Sequence, residues 1–165
     1  MDNARMTSSI LFVCLGNICR SPLAEGAFRA EAARRGLDVM VDSAGTGSWH
    51  VGRPPDPRAQ AEAKRHGVDI SGLRARQVTP RDFRRFDRIV ALDAQNFADL
   101  QAMRPGDGTA RLSLLLDHVP GRAGSAVVDP YYGDAAGFGT CWDDVAAGAR
   151  GLADEIAADG AQPKG

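Results

Sequence analysis

The sequence predicts an α/β fold: one domain built on a four-stranded parallel sheet with helices on both faces, of the flavodoxin-like or Rossmann-like kind. Three observations predict it. Short apolar runs of strand length alternate along the chain with amphipathic stretches of helix length. The first run, Ile10–Cys14, reads Ile-Leu-Phe-Val-Cys, apolar throughout, as suits a strand buried on both faces. Strand, helix, strand, helix at this spacing implies right-handed crossovers, and 165 residues suffice for one such domain.

Taken in order, Ser21-Pro22 opens the first helix, with Ser as N-cap and Pro at the first helical position, and Gly36 closes it after Arg35. Val39–Val41 is the second strand and leads into Asp42-Ser43-Ala44-Gly45. A second helix spans Pro57 to His66, with Asp56 before it and Gly67 after. Thr79-Pro80-Arg81-Asp82 opens a short helix by the same capping logic. Arg88–Leu92 is the third strand, Asp93 caps a helix reaching Met103, and Leu112–Leu116 is the fourth strand. In the last helix Phe138, Trp142, Val145, Ala149, Leu152 and Ile156 recur at three- and four-residue steps, and Cys141 rides on it as packing. This places a domain at 10–159, with flexible tails at Met1–Ser9 and Gly160–Gly165.

Twenty Lys and Arg against 21 Asp and Glu give a net charge of -1, which offers no electrostatic footprint for nucleic acid or a membrane surface. No window approaches the ~20 apolar residues of a membrane span, and Ile10–Val13 is too short for a signal-peptide core. Three Cys, an odd number, argue against a disulfide framework and for a reducing, cytoplasmic setting. No Cys/His/Asp cluster has metal-ligand spacing, so no metal or other cofactor is expected.

In parallel sheets ligands sit beyond the carboxyl ends of the strands, here after Val13, Val41, Leu92 and Leu116. The first such segment is Cys14-Leu15-Gly16-Asn17-Ile18-Cys19-Arg20-Ser21-Pro22. With three Cys and 18 Arg in the chain, Cys-x5-Arg alone is weak; its place between a buried strand and a helix start gives it weight. A loop so placed points backbone N–H groups and a helix N-terminus at one spot, which attracts a tetrahedral oxyanion. Those dipoles and Arg20 favour thiolate over thiol at Cys14. Arg20 can hold two phosphate oxygens through its fork, and Ser21 can donate to the sulfur. Against this stands a plain alternative: Cys14 as an inert buried thiol and Arg20 as a surface residue. Further on, Asp117 to Gly137 has no helical or strand period and lies on the ligand side of the sheet. Within it Pro130 holds Asp129 extended, and Tyr131 and Tyr132 can wall a pocket for a flat ring. Asp129 is the candidate general acid, although composition does not separate it from Asp117 or Asp134.

The run Cys14 to Glu25, Cys-Leu-Gly-Asn-Ile-Cys-Arg-Ser-Pro-Leu-Ala-Glu, resembles the phosphate-binding loop of the low-molecular-weight protein tyrosine phosphatases. Asp129-Pro130-Tyr131-Tyr132-Gly133 matches a second motif of that family, and the order fits along residues 9–158. The resemblance implies the phosphotyrosine phosphatase I type of fold and a two-step, metal-free hydrolysis of protein phosphotyrosine and small aryl phosphates. Cys14 is then the nucleophile that carries a phosphocysteine, Arg20 the phosphate clamp and Asp129 the acid and base. Leu15, Gly16, Asn17, Ile18, Cys19 and Ser21 form the phosphate loop, with Trp49, Tyr131 and Tyr132 around the substrate ring. Asn17 organises the loop with Ser43 and His66 as partners, or else these are a turn residue, a strand-end cap and a helix C-terminal His. Trp49 is either a cleft wall or a half-packed surface residue. Cys19 either forms a reversible disulfide with Cys14 or simply packs. His50 and His118 receive no role. Ile18, apolar beside the pocket, leans away from the related arginine phosphatases. The implied partner is a phosphotyrosine-bearing protein, a tyrosine kinase among the candidates, with inorganic phosphate or vanadate as inhibitors. Three alternatives remain: a protein-arginine phosphatase, an arsenate reductase on the same fold, and a non-catalytic phosphate-binding redox sensor using Cys14 and Cys19. The reductase needs resolving cysteines after the third strand, where Asp82 to Met103 holds none.

Overall fold

In the computed structural model, which describes residues 8–161, four strands run parallel in the order β2-β1-β3-β4: β1 Ser8–Cys14, β2 Val39–Gly45, β3 Arg88–Ala91 and β4 Arg111–Leu114. β1 is central, pairing Cys14 with Gly45 on one side and Val13 with Ala91 on the other. Its apolar run is therefore needed on both faces. Ile10, Phe12 and Cys14 join the core beneath α1 (Arg20–Arg35) and α5 (Ala135–Ala161), with Ala59 and Ala63 of α2 (Pro57–Arg65). Leu11 and Val13 point the other way, into a second core with Phe83 of α3 (Asp82–Arg85) and Leu100 of α4 (Ala94–Met103). The period of two along one strand thus divides the molecule into its two hydrophobic layers.

The boundaries differ from the sequence expectations where side chains take unexpected partners. Ser8 and Ser9 extend β1, and residues 160 and 161 belong to α5; the rest of the two expected tails lies outside the described residues. α1 begins at Arg20, with Cys19 rather than Ser21 in the N-cap position, because the Ser21 hydroxyl is turned to the Cys14 sulfur instead of to a backbone N–H. Pro22 still falls in the first turn, where its missing N–H costs nothing. Gly36 caps the far end in the left-handed conformation, φ 70°. β4 stops at Leu114 because Asp117 accepts from Leu114 N (3.0 Å) and Gly124 N (2.8 Å), drawing Leu115–His118 into a single 3-10 turn. α5 starts at Ala135, a little before the periodic residues that predict it.

Among the described residues no helix is long and apolar enough to cross a membrane. Close packing of α5 over the 3-10 turn requires glycine: a Cβ on Gly151 would overlap the His118 carbonyl oxygen, and one on Gly148 the Leu115 side chain. Gly151→Ala should lower stability by about 1–3 kcal/mol in urea unfolding. Gly72→Ala, where a Cβ meets nothing within 4 Å, should stay within ~1 kcal/mol of the parent. Equal stability of the two variants would refute this account of the helix seat.

Candidate active site

β1 delivers Cys14 to the carboxyl edge of the sheet, and the chain turns through residues 15–19 before entering α1. Asn17 makes that turn with φ 59°, a left-handed conformation that Asn tolerates better than most residues. The end of β2 runs close alongside: a Cβ on Gly45 would lie 2.6 Å from the Leu15 oxygen, so only glycine fits. Thr46 N and Gly47 N donate to the carbonyls of Cys14 and Leu15 (2.9 Å each), and Asp56 N donates to Ile18 O (2.8 Å). In trans peptides the carbonyl and the following N–H point opposite ways. Binding these oxygens on the outside therefore turns the N–H groups of Leu15, Gly16 and Cys19 inward.

The Cys14 sulfur, nearly buried, takes Asn17 N at 3.3 Å and lies 3.0 Å from Ser21 Oγ. The Asn17 amide spans the loop: Nδ2 donates to Ser21 Oγ (2.8 Å) and Ser43 Oγ (3.0 Å), while Oδ1 accepts from Arg76 N (3.0 Å). Ser43 thus lies within hydrogen-bond reach of Asn17. His66 does not: its Nε2 pairs with Glu62 Oε2 at 2.8 Å and its ring stacks on Trp142. As the C-cap of α2 it faces α5, and the backbone of Arg76 takes the place expected for it.

Arg20 is 3% exposed. Nη1 donates to Asp93 Oδ2 (2.7 Å) and Val127 O (2.9 Å), and Nη2 lies 3.8 Å from Asp129 Oδ2. Burial works against its charge, but Cys14, Asp93 and Asp129 outweigh this and raise its proton affinity above the ordinary value. Holding Nη1 for structure leaves Nε and Nη2 with no hydrogen bond among the described residues, a fork of the geometry a tetrahedral oxyanion accepts.

Asp129 belongs to the loop between the 3-10 turn and α5. Its Oδ1 accepts from Tyr131 N (3.1 Å), and the loop is pinned on both sides. Val127 N donates to Leu92 O at the end of β3 (2.9 Å). Beyond Asp129, Arg58 donates to Tyr131 O (3.1 Å) with its guanidinium over the Phe138 ring. The result is a cleft of about 490 Å³ with Cys14, Arg20 and Asp129 facing it. Trp49, 71% exposed, and the edge-to-face pair Tyr131 and Tyr132 stand around it, beside Ile18 and His50. Leu15, Gly16, Asn17 and Cys19 complete the floor; Ser21 lies behind it. Among the described residues no group of three or more His, Cys, Asp or Glu could hold a metal ion.

Sequence reasoning missed Asp93, Arg76, Arg58, Val127 and His50. Asp93 was legible only as a helix cap, which it is through Oδ1 to Asn96 N (2.7 Å); its other oxygen takes Arg20. Its place after the third strand, on the ligand edge, was the available signal.

The family model described as low molecular weight phosphotyrosine protein phosphatase matches residues 9–162. The chain belongs to that family. A phosphatase of that description from Schizosaccharomyces pombe is 43% identical over 136 residues, covering 81% of this chain and 86% of the relative. The low molecular weight protein-tyrosine-phosphatase YfkJ of Bacillus subtilis is 47% identical over 126 residues, covering 75% and 81%. The crystal structure of YfkJ superimposes with a TM-score of 0.86, 41% identity, and coverage of 93% of this chain and 96% of that one.

Burial pushes the thiols of Cys19 and Cys141 up, Cys141 to about 12, and all three cysteines are free. Near neutral pH iodoacetate should therefore modify Cys14 alone, and inorganic phosphate or vanadate should slow the reaction. Mass spectrometry showing Cys19 or Cys141 modified at a comparable rate would contradict the site as described.

Proposed function

We propose that this family member hydrolyses protein phosphotyrosine and small aryl phosphates through a phosphocysteine on Cys14. The carrying observation is that a sulfur accepting from Asn17 N and lying 3.0 Å from Ser21 Oγ, a buried guanidinium and a partly exposed carboxyl face one ring-walled cleft. In the first step the Cys14 thiolate attacks phosphorus in line, forming the S–P bond. The P–O bond to the aryl group breaks while Asp129 gives its proton to the departing oxygen. In the second, water attacks phosphorus, Asp129 takes its proton, the S–P bond breaks and inorganic phosphate leaves. Arg20 and the inward N–H groups hold the equatorial oxygens through both steps. Trp49, Tyr131 and Tyr132 offer flat faces to a phenyl ring, and Ile18 adds an apolar edge that suits it better than a guanidinium. The substrate is accordingly a phosphotyrosine-bearing cytoplasmic protein, a tyrosine kinase among the candidates.

Turnover of phosphotyrosine, phosphoarginine and phosphoserine substrates tests this, phosphotyrosine being the expected preference. Cys14→Ser should reduce kcat by about three orders of magnitude or more while phosphate still binds. Substantial residual turnover would remove Cys14 from its role. Asp129→Ala should lower kcat by roughly 10²-fold on esters with poor leaving groups and much less on those with good ones. A uniform loss across leaving groups would assign the proton to another residue.

A further inference from the structure

The first turn of α2 touches both halves of the active site. Asp56 N donates to Ile18 O in the phosphate loop (2.8 Å). The Asp56 carboxylate caps the helix at Arg58 N (2.8 Å) and takes the Arg58 guanidinium through Nε (3.0 Å) and Nη2 (2.9 Å). That same Nη2 donates to Tyr131 O (3.1 Å), in the loop that carries Asp129. Among the described residues, Arg58 is the one hydrogen-bond donor from outside the loop to residues 128–133.

From Tyr131 the restraint reaches the acid within two residues. Tyr131 N donates to Asp129 Oδ1 (3.1 Å), Pro130 fixes its own φ between them, and Gly133 N closes the turn on Pro130 O (3.1 Å). Asp129 Oδ2 then stands 3.8 Å from Arg20 Nη2. The Arg58 guanidinium is itself fixed against α5, lying over the buried Phe138 ring at 4.8 Å from its centroid. Bonds from Arg58 hold the Asp56 carboxyl below the usual carboxylate range, so its partner stays an anion. Capping α2 needs only the Asp56 carboxylate and the Arg58 N–H, which leaves the guanidinium without a part in it. Of residues 128–133 only Pro130 is buried, so side-chain packing restrains this stretch at one point and Arg58 supplies a second. We infer that Arg58 is a positioning residue for Asp129: its fork, fixed by Asp56 and Phe138, holds Tyr131 so that the acid stays over the phosphate loop instead of closing on Arg20 or turning to solvent.

The inference rests on Asp129 being the acid, and its test separates the two. kcat/KM is measured with phenyl phosphate, a poor leaving group, and p-nitrophenyl phosphate, a good one, and the ratio of the two is the readout. The proteins are the parent, Arg58→Met, Asp129→Ala and the double variant, with Tm for each. Methionine keeps an apolar stem over Phe138 and has no donor. Arg58→Met should lower kcat/KM about tenfold on phenyl phosphate and no more than about twofold on p-nitrophenyl phosphate, as weakened proton donation requires. A purely structural contact would move Tm, or both esters together, and leave the ratio alone. With Asp129→Ala already present, Arg58→Met should change the ratio by less than about twofold, because no acid is left to place. Equal losses on both esters, or a further roughly tenfold change of ratio in the double variant, would overturn the proposal. If Arg58→Met does not fold, Arg58→Lys is compared in the same way, since it keeps the cation but lacks the fork that joins Asp56 to Tyr131 O. An Asp129→Ala ratio equal to the parent's would overturn the acid assignment and this inference together; a lowered one beside an unchanged Arg58→Met ratio overturns the positioning role alone.

Discussion

The site depends on one packing constraint: the last residue of the central strand must turn into its loop while the end of the neighbouring parallel strand packs closely against it. Gly45 permits this close approach because it has no side chain, and the two residues after it bind the loop's carbonyls. With those oxygens occupied, the N–H edges of the same peptides face the sulfur and the space above it. The peptide dipoles and the Arg20 guanidinium together make that space attractive to an oxyanion, and they are oriented before any ligand arrives, which is the condition under which such groups stabilise a transition state most effectively.

Around this loop the buried and half-buried polar groups divide their capacity between structure and chemistry. Asp93 caps α4 with one oxygen and neutralises Arg20 with the other. Arg20 gives Nη1 to the scaffold and keeps Nε and Nη2 for a ligand. Asn17 joins the loop, β2 and the segment around Arg76 through a single amide. That segment is itself held by Arg76, whose guanidinium pairs with Asp42 and the buried Asp82. Unpaired, each of these groups would be costly in a buried setting, and the pairing is what keeps the site rigid.

How much of this the sequence disclosed follows from the range of each interaction. The strands and the α5 face were legible because periodicity is local: Ile10–Cys14 and the series from Phe138 to Ile156 carry their own burial pattern. The loop from Cys14 to Arg20 was legible because strand end, glycine and helix start lie within a few residues. Asp129 stood out only by resemblance, since a carboxylate before proline is common and its approach to Arg20 spans more than a hundred positions. Of the two partners expected for Asn17, Ser43 bonds to it and His66 pairs with Glu62 instead; the third partner, Arg76 N, was not legible because backbone donors leave no mark on residue type. The Ser21 cap was misplaced for a related reason: its hydroxyl lies against the sulfur seven residues earlier rather than against a backbone N–H.

The loop bearing Asp129 shows how an acid can be held near a guanidinium without being consumed by it. Val127 fastens the chain on one side, donating to Leu92 and accepting from Arg20, while Arg58 fastens it on the other at Tyr131. Between these pins the carboxyl stops 3.8 Å from Arg20 Nη2, too far for a hydrogen bond and close enough for attraction. A full ion pair would occupy the fork that the phosphoryl oxygens need, and would fix both carboxylate oxygens away from the leaving group. The gap keeps the fork and the acid separately available, and it exists because two anchors set the loop's height. Arg58 is the subtler of them, because stacking on Phe138 ties that height to α5, the helix that also covers the layer beneath Cys14.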